Sequence, residues 1–211
     1  MPERLTPTSY ALLGLLNLQP FSAYELTQYM RRGALARLWP RTEASIYREP
    51  KALVAGGLAR ARNEADGRRS RTVYEITPAG RRALRSWLGR PGRGLRFECE
   101  AAVQAFFGDA ADLESLRANL GSVRAASLAA RDSSREMLAD WLEGRLRFPD
   151  RLQYTTLAAD LIARVEHAVG SWAEDWLERI DAWEGTELHE ASERQARALL
   201  RELEAVGPPQ R

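Results

Sequence analysis

Three arginines crowd one short stretch of this 211-residue chain. Gly67-Arg68-Arg69-Ser70-Arg71 places three guanidiniums and one hydroxyl where the flanking pattern predicts a hairpin tip. A guanidinium is a planar fork of donors that fits phosphate oxygens, so the chemistry is anion recognition. Nucleic-acid backbone is the obvious anion. The plainer alternative is a solvated edge strand whose charges block strand-to-strand aggregation. Arg60 and Arg62 lie on the strand leading to the tip. A second group is aromatic. Trp172, Trp176 and Trp183 share the apolar stripe of one predicted helix, and Trp141 lies in the helix before it. Such a stripe packs a dimer seam or a helical core; its sharper use is a flat cavity for a planar ligand. Both hold if the cavity sits at the seam.

Catalytic chemistry finds little support. The chain has two histidines, His167 and His189, and one cysteine, Cys99. Cys99 has no sequence partner that suggests a nucleophile. His189-Glu190-Ala191-Ser192-Glu193 is half of a zinc-protease motif without the second histidine, and a solvated helix face is its expected role. Neither a glycine-rich phosphate loop nor a dinucleotide fingerprint is present. The sequence therefore predicts no enzyme, no metal and no cofactor.

The elements that position these groups follow from caps and periodicity. Thr8 or Ser9 caps a helix over 10–18, which Gln19-Pro20 ends. Ser22-Ala23-Tyr24-Glu25 is a capping box opening a helix to about residue 32. Residues 33–40 read as a connection. Thr42 caps a third helix over 43–55, with Ile46, Pro50, Leu53 and Val54 on one stripe and Gly56-Gly57 as its stop. The period then changes to two. Residues 58–62 and 72–76 read as strands around the Asp66-Gly67 turn. Thr77-Pro78 opens a helix with Ala83, Leu84, Trp87 and Leu88 on its apolar face. Residues 90–94 form a linker by composition. Beyond it every pattern is helical: 97–107, about 113–146, about 152–183, and a last helix capped by Thr186 after a stop at Gly185. In the third of these, Leu157, Leu161, Val165, Val169, Trp172, Trp176, Ile180 and Trp183 predict one continuous stripe.

Charge divides the chain at the same place. Residues 1–97 carry 18 Lys and Arg against 7 Asp and Glu, a surplus of 11; residues 98–211 carry 13 against 22, a deficit of 9. Of the 31 basic residues, all but Lys51 are Arg. A basic module beside an acidic one suggests two jobs. We expect a domain over 1–92 and a second over 93–211. One cysteine excludes an internal disulfide and fits a reducing compartment, here the cytoplasm. The first residues lack a signal pattern. The longest apolar run, 10–16, is far short of the ~20 residues of a membrane span, so no membrane partner is expected.

Three helices followed by a two-stranded ribbon is the order of a winged helix. Residues 5–90 resemble the winged-helix domain of PadR-type transcriptional regulators of bacteria. The residues that carry the resemblance run from Leu5-Thr6-Pro7-Thr8-Ser9-Tyr10 through Ser22-Ala23-Tyr24-Glu25-Leu26 and Ser45-Ile46-Tyr47 to Pro50-Lys51-Ala52-Leu53. Gly57-Leu58 precedes the wing, and Tyr74-Glu75-Ile76-Thr77-Pro78-Ala79-Gly80-Arg81 follows it. The acidic half resembles the longer-tailed members, whose C-terminal region is named for virulence activator alpha, through Phe97-Glu98-Cys99-Glu100, Phe106-Phe107 and the Trp-rich helix after Pro149.

The resemblance implies a mainly α fold: an N-terminal winged helix-turn-helix with a two-stranded β-wing, then an all-α dimerisation domain. It implies a homodimeric repressor on a palindromic operator of double-stranded DNA, released by a small planar effector. Carried onto this chain, the groove-reading residues are Thr42, Ser45, Tyr47, Arg48 and Lys51, joined at the wing by Arg68, Arg69, Ser70 and Arg71. Arg48 and Lys51 would clamp phosphate or read bases, the former being the commoner fate. Glu43 and Glu49 would be solvated or Arg-paired; the other use is to accept from cytosine N4. Many members have proline directly after the tyrosine, whereas Arg48-Glu49 intervene here, and Pro50 is expected to kink the helix. Two other readings fit the basic half: a winged helix that binds an acidic protein partner, and a ligand carrier built on the Trp-rich helices.

Overall fold

The computed structural model describes residues 5–66 and 69–205, which form two compact units, 1–95 and 96–211. Arg68 lies outside the described residues, and Arg69 and Ser70 are described only as strand backbone.

The first unit starts from a cap. Thr6 and Ser9 form a reciprocal capping box at the start of helix α1 (Pro7–Leu16), with Pro7 where its missing N–H costs nothing. The sequence pointed to Thr8 or Ser9 as the cap; Thr8 instead accepts the Trp39 indole N–H at 2.9 Å. Leu12, Leu13, Leu15 and Leu16 are buried. After the break at Pro20 a two-residue strand β1 (Phe21–Ser22) leads into helix α2 (Ala23–Arg31), whose Ser22–Glu25 capping box forms as predicted. A short helix α3 (Gly33–Leu38) occupies what reads as a connection. Helix α4 (Glu43–Ala55) has the predicted bounds and its Thr42 cap, and it runs unbroken through Pro50. Pro50 is fully buried beside Ile46 and Leu53, so packing offsets the one lost backbone bond.

Strands β2 (Ala59–Asp66) and β3 (Arg69–Ile76) pair antiparallel, from Ala59 opposite Ile76 to Asp66 opposite Arg69. Strand β1 adds to the other edge of β3, with Phe21 opposite Tyr74, giving the order β1-β3-β2. Fully buried Phe21 joins Leu26, Met30, Ile46, Leu53 and Val73 in the core.

Helix α5 (Pro78–Leu88) closes the unit, and its start is the tightest place in it. Thr77 donates its hydroxyl to the Gly57 carbonyl at 2.7 Å and its backbone N–H to the Leu58 carbonyl at 3.0 Å. The same hydroxyl caps the helix by accepting from the Gly80 N–H. Gly57 sits at φ +68°, a backbone only glycine adopts cheaply. At Gly80 a Cβ would stand 2.1 Å from the Leu58 carbonyl oxygen. Farther along, Tyr10 and Trp87 stack in parallel with centroids 4.8 Å apart, tying α1 to α5.

The second unit is all helical among its described residues: α6 (Glu100–Phe106), α7 (Leu113–Leu142), α8 (Leu152–Ile180) and α9 (Glu190–Ala205). Asp112 caps α7 by accepting the Ser115 N–H at 2.7 Å, and that bond lowers its carboxyl pKa. Helices α7 and α8 run antiparallel: Arg117 reaches the Ile180 carbonyl, Gly170 lies against Ser127, and Ser134 donates to Glu166.

The stripe on α8 is not continuous: Ile162, Ala173 and Ile180 are buried, while Leu157 is 71% exposed and Leu161 48%. At about 100° per residue, steps of four advance about 40° each, so the pattern drifts around the helix. Ile162, Ala173 and Ile180 stay within about 20° of one line; Leu157 falls about 140° from it. The end of α8 also differs. It stops at Ile180, not near Gly185, and Thr186 does not cap the last helix but donates to the Ala111 carbonyl at 3.0 Å. His189 takes the capping role: its Nδ1 accepts the Ser192 N–H at 3.4 Å, and its own N–H reaches the Ser192 hydroxyl at 3.0 Å.

The close approach at Gly80 makes a direct test. Gly80→Ala is expected to cost about 2–3 kcal/mol in denaturant unfolding, because backbone on both sides must move. Gly89→Ala, where a Cβ has 3.6 Å of room, should stay within about 0.5 kcal/mol.

Candidate nucleic-acid interface

Helix α4 separates its two faces cleanly. Ile46, Pro50 and Leu53 point inward, while Thr42, Tyr47, Arg48 and Lys51 are exposed and Ser45 is half-buried. All five residues expected to read a groove therefore lie off the packed face. Neither Arg48 nor Lys51 has an ion-pair partner among the described residues. The Thr42 hydroxyl is engaged as the cap, accepting from the Ser45 N–H at 3.4 Å.

The two carboxylates on α4 are turned away from that face. Glu43 pairs with Arg31 at the end of α2, one of the two roles foreseen for it. Glu49 does something the sequence did not suggest. Half-buried and in no ion pair among the described residues, it accepts the Thr6 hydroxyl at Oε1 and the Ser9 hydroxyl at Oε2, each at 3.2 Å. The partners lie 43 and 40 residues away, beyond any local signal.

The described side chains of the wing form an alternating charge network. Arg60 and Arg62 on β2 both bind Glu75 on β3, through Nε at 2.8 and 3.1 Å. Arg62 also reaches Glu64 at 2.6 Å, and Arg71 bridges Glu64 at 3.4 Å and Glu25 at 3.8 Å. Arg60 and Arg62 thus spend their guanidiniums on Glu75. The Arg60 hydrogen bond and the charges of both arginines hold the Glu75 carboxyl below its usual range. Arg71 keeps a looser grip at the end of the network nearest the tip.

The tryptophans divide. Trp172, Trp176 and Trp183 pack with Leu113, Leu116 and Val123 against buried Leu120, Ala173 and Ile180. Trp176 and Trp183 meet edge to face at 6.2 Å, and the Trp183 N–H donates to Gln195 on α9 at 2.8 Å. Trp141 lies in the last turn of α7, at the other end of the α7–α8 pair. The antiparallel register sets it opposite the start of α8, roughly 20 Å along the helix from Trp172 at 1.5 Å per residue. The four do not form one group. A separate apolar cleft lies between α6 and α7, lined by Val103, Phe107, Leu116, Ser115 and Asn119.

A family model described as the transcriptional regulator PadR-like family matches residues 12–86. This chain carries a PadR-like domain. That family is one of transcriptional regulators, not of enzymes. The negative transcriptional regulator PadR of Bacillus subtilis is 33% identical over 82 residues, which are 38% of this chain and 44% of that protein. The chain thus spans less than half of that relative in the aligned region. In solved structures the fold extends beyond the PadR-like domain. PadR of Bacillus subtilis in complex with operator DNA superposes with a TM-score of 0.75 at 21% identity, covering 84% of this chain and 99% of that one. Its complex with p-coumaric acid gives 0.65 at 24%, covering 82% and 98%. The Vibrio cholerae virulence activator AphA gives 0.63 at 21%, covering 83% and 98%. The matched fold is a winged helix followed by long helices, in line with the sequence reading.

The network on the wing of the PadR-like domain has a measurable signature. Glu75 has a folded pKa below its unfolded value of about 4.3, so its contribution to stability is present above that value. It is lost as pH falls through the folded value. Glu75→Gln should unfold more easily than wild type in urea at pH 7. The gap should close progressively below about pH 5.

Proposed function

We propose that this chain is a DNA-binding transcriptional repressor that acts as a homodimer on a palindromic operator. One observation carries the reading: α4 presents Thr42, Tyr47, Arg48 and Lys51 outward with Ser45 beside them, while both of its carboxylates are tied back to the scaffold. A helix of this length enters a major groove, and the wing beside it reaches neighbouring phosphates through Arg68, Arg69, Ser70 and Arg71. The name of the Bacillus subtilis relative, a negative regulator, supports repression, and the operator complex of that protein supports the ligand.

Dimerisation is supported by what the second unit leaves bare. Leu142 is 90% exposed, Phe106 80%, and Leu188, Leu200 and Leu203 are also largely open. A helical unit with this much bare apolar surface fits a larger helical assembly. Half-sites about one helical turn of DNA apart, or a multiple of it, follow from two-fold symmetry. The p-coumaric acid complex of the Bacillus subtilis protein supports a small planar effector here, with the Trp172, Trp176 and Trp183 cluster as the aromatic wall. An effector works only by binding one dimer geometry better than another. No helix among the described residues is long and apolar enough to cross a membrane.

Selection of random duplexes on the purified protein, with the mass measured in the same buffer, tests this. The expected result is an enriched palindrome and a mass twice the 23.7 kDa chain. Absence of enrichment, with binding that vanishes uniformly at moderate salt, would sink it. On the enriched duplex, Arg68, Arg69 and Arg71 to Ala together should weaken all sequences alike and flatten the salt slope by roughly 0.9 per lost phosphate contact. Arg71→Ala alone should change the slope less than Lys51→Ala, because Arg71 is shared with Glu64 and Glu25.

A further inference from the structure

We infer that Glu49 is a positioning residue that sets how α4 sits in the groove, a role that rests on the DNA-binding reading above. In the α1 capping box the Thr6 hydroxyl oxygen accepts the Ser9 N–H at 3.2 Å, and the Ser9 hydroxyl oxygen accepts the Thr6 N–H at 3.0 Å. Each hydroxyl has one proton. The two hydroxyl oxygens also lie 3.1 Å apart, where either can donate to the other, and a carboxylate facing both draws the two protons outward instead. Glu49 meets them, one at each carboxylate oxygen. The capping box therefore does two tasks at once: it starts α1 and offers a two-pronged donor site to α4. A hydroxyl pair of this spacing is matched by a carboxylate, with its two oxygens a fixed distance apart. The site also lies at the positive end of α1.

The place on α4 where this clamp acts matters. Pro50 follows directly and has no N–H, so the Ile46 carbonyl has no partner one turn ahead. That is the weakest point in the helix ladder, and it lies between Tyr47-Arg48 and Lys51, the exposed residues on either side. At the front, Glu43 is held by Arg31 on α2. Glu49 holds the middle to α1. Two carboxylates on different scaffold helices fix rotation and slide of α4 together, which one tether could not. A small rotation about the helix axis would carry Ser45, Tyr47, Arg48 and Lys51 off their base edges while leaving them near phosphate. The predicted loss is in discrimination, not in general affinity.

The experiment compares binding of the full-length protein to the duplex recovered by selection and to a scrambled duplex of the same composition. Thermal midpoints are measured alongside. For Glu49→Ala we expect the ratio of the two affinities to fall about tenfold or more, the discrimination carried by a single base contact. Affinity for the scrambled duplex should hold or tighten, since a negative charge is removed. Glu49→Gln keeps one acceptor oxygen on the same stem and should retain most of the ratio. Ser9→Ala removes one donor and should lower the ratio, with little added when combined with Glu49→Ala. Should Glu49→Ala fail to fold, Glu49→Gln and Ser9→Ala carry the comparison. An unchanged ratio in Glu49→Ala overturns the inference, as does a loss shared equally by both duplexes. Failure of the DNA reading itself would show earlier and separately, as a wild-type protein that selects no sequence.

Discussion

A surface that attracts phosphate must keep its own carboxylates from cancelling it, and the first unit is organised around that constraint. Each of its described carboxylates is held by a partner on another element or by a cap. Glu25 closes the α2 capping box, Glu43 pairs with Arg31, Glu49 receives two hydroxyls, and Glu64 and Glu75 bridge the wing arginines. The result is not simple excess charge. Negative groups are used as internal ties that align α1, α2, α4 and the ribbon, and the cations left unengaged on α4 are Arg48 and Lys51. Arginine suits this arrangement because one planar group can bond two carboxylates at once, as Arg62 and Arg71 do.

What the sequence shows and what it hides separate along physical lines. Caps are local, so the Ser22–Glu25 box, the Thr42 cap and the Thr77-Pro78 start are all legible. The outward set on α4 is legible too, because Ile46, Pro50 and Leu53 mark its buried stripe. Strand β1 is hidden: two residues carry no period, and only pairing with β3 makes them a strand. Helix α3 is hidden by Gly33, a poor helix former that here opens one at φ +64°. The role of Glu49 is hidden for the strongest reason, since its partners lie 43 and 40 residues away and the Thr6–Ser9 box that presents them is itself not read from the sequence.

The acidic unit teaches a different lesson. Eight apolar residues at steps of four or three look like one seam, yet Trp183 falls beyond α8, and rotation along the helix splits the other seven between the face packed on α7 and a face left bare. The tryptophans follow the same rule, three gathering where α7, α8 and α9 meet and Trp141 standing at the far end. His189 shows how a residue that resembles part of a metal motif can serve plain helix geometry. Its Nδ1 accepts the Ser192 N–H at the start of α9, and its Nε2 is buried with no hydrogen-bond partner among the described residues.

Lys51 carries a consequence of its own. It is the single lysine among 31 basic residues, and it stands exposed on the outer face of α4. A reagent that acylates amines and ignores guanidiniums finds one side chain in the entire chain. The helix we assign to the groove thus holds the one side-chain amine of the chain, which a reagent kept off the α-amino group turns into a reporter without any engineered residue.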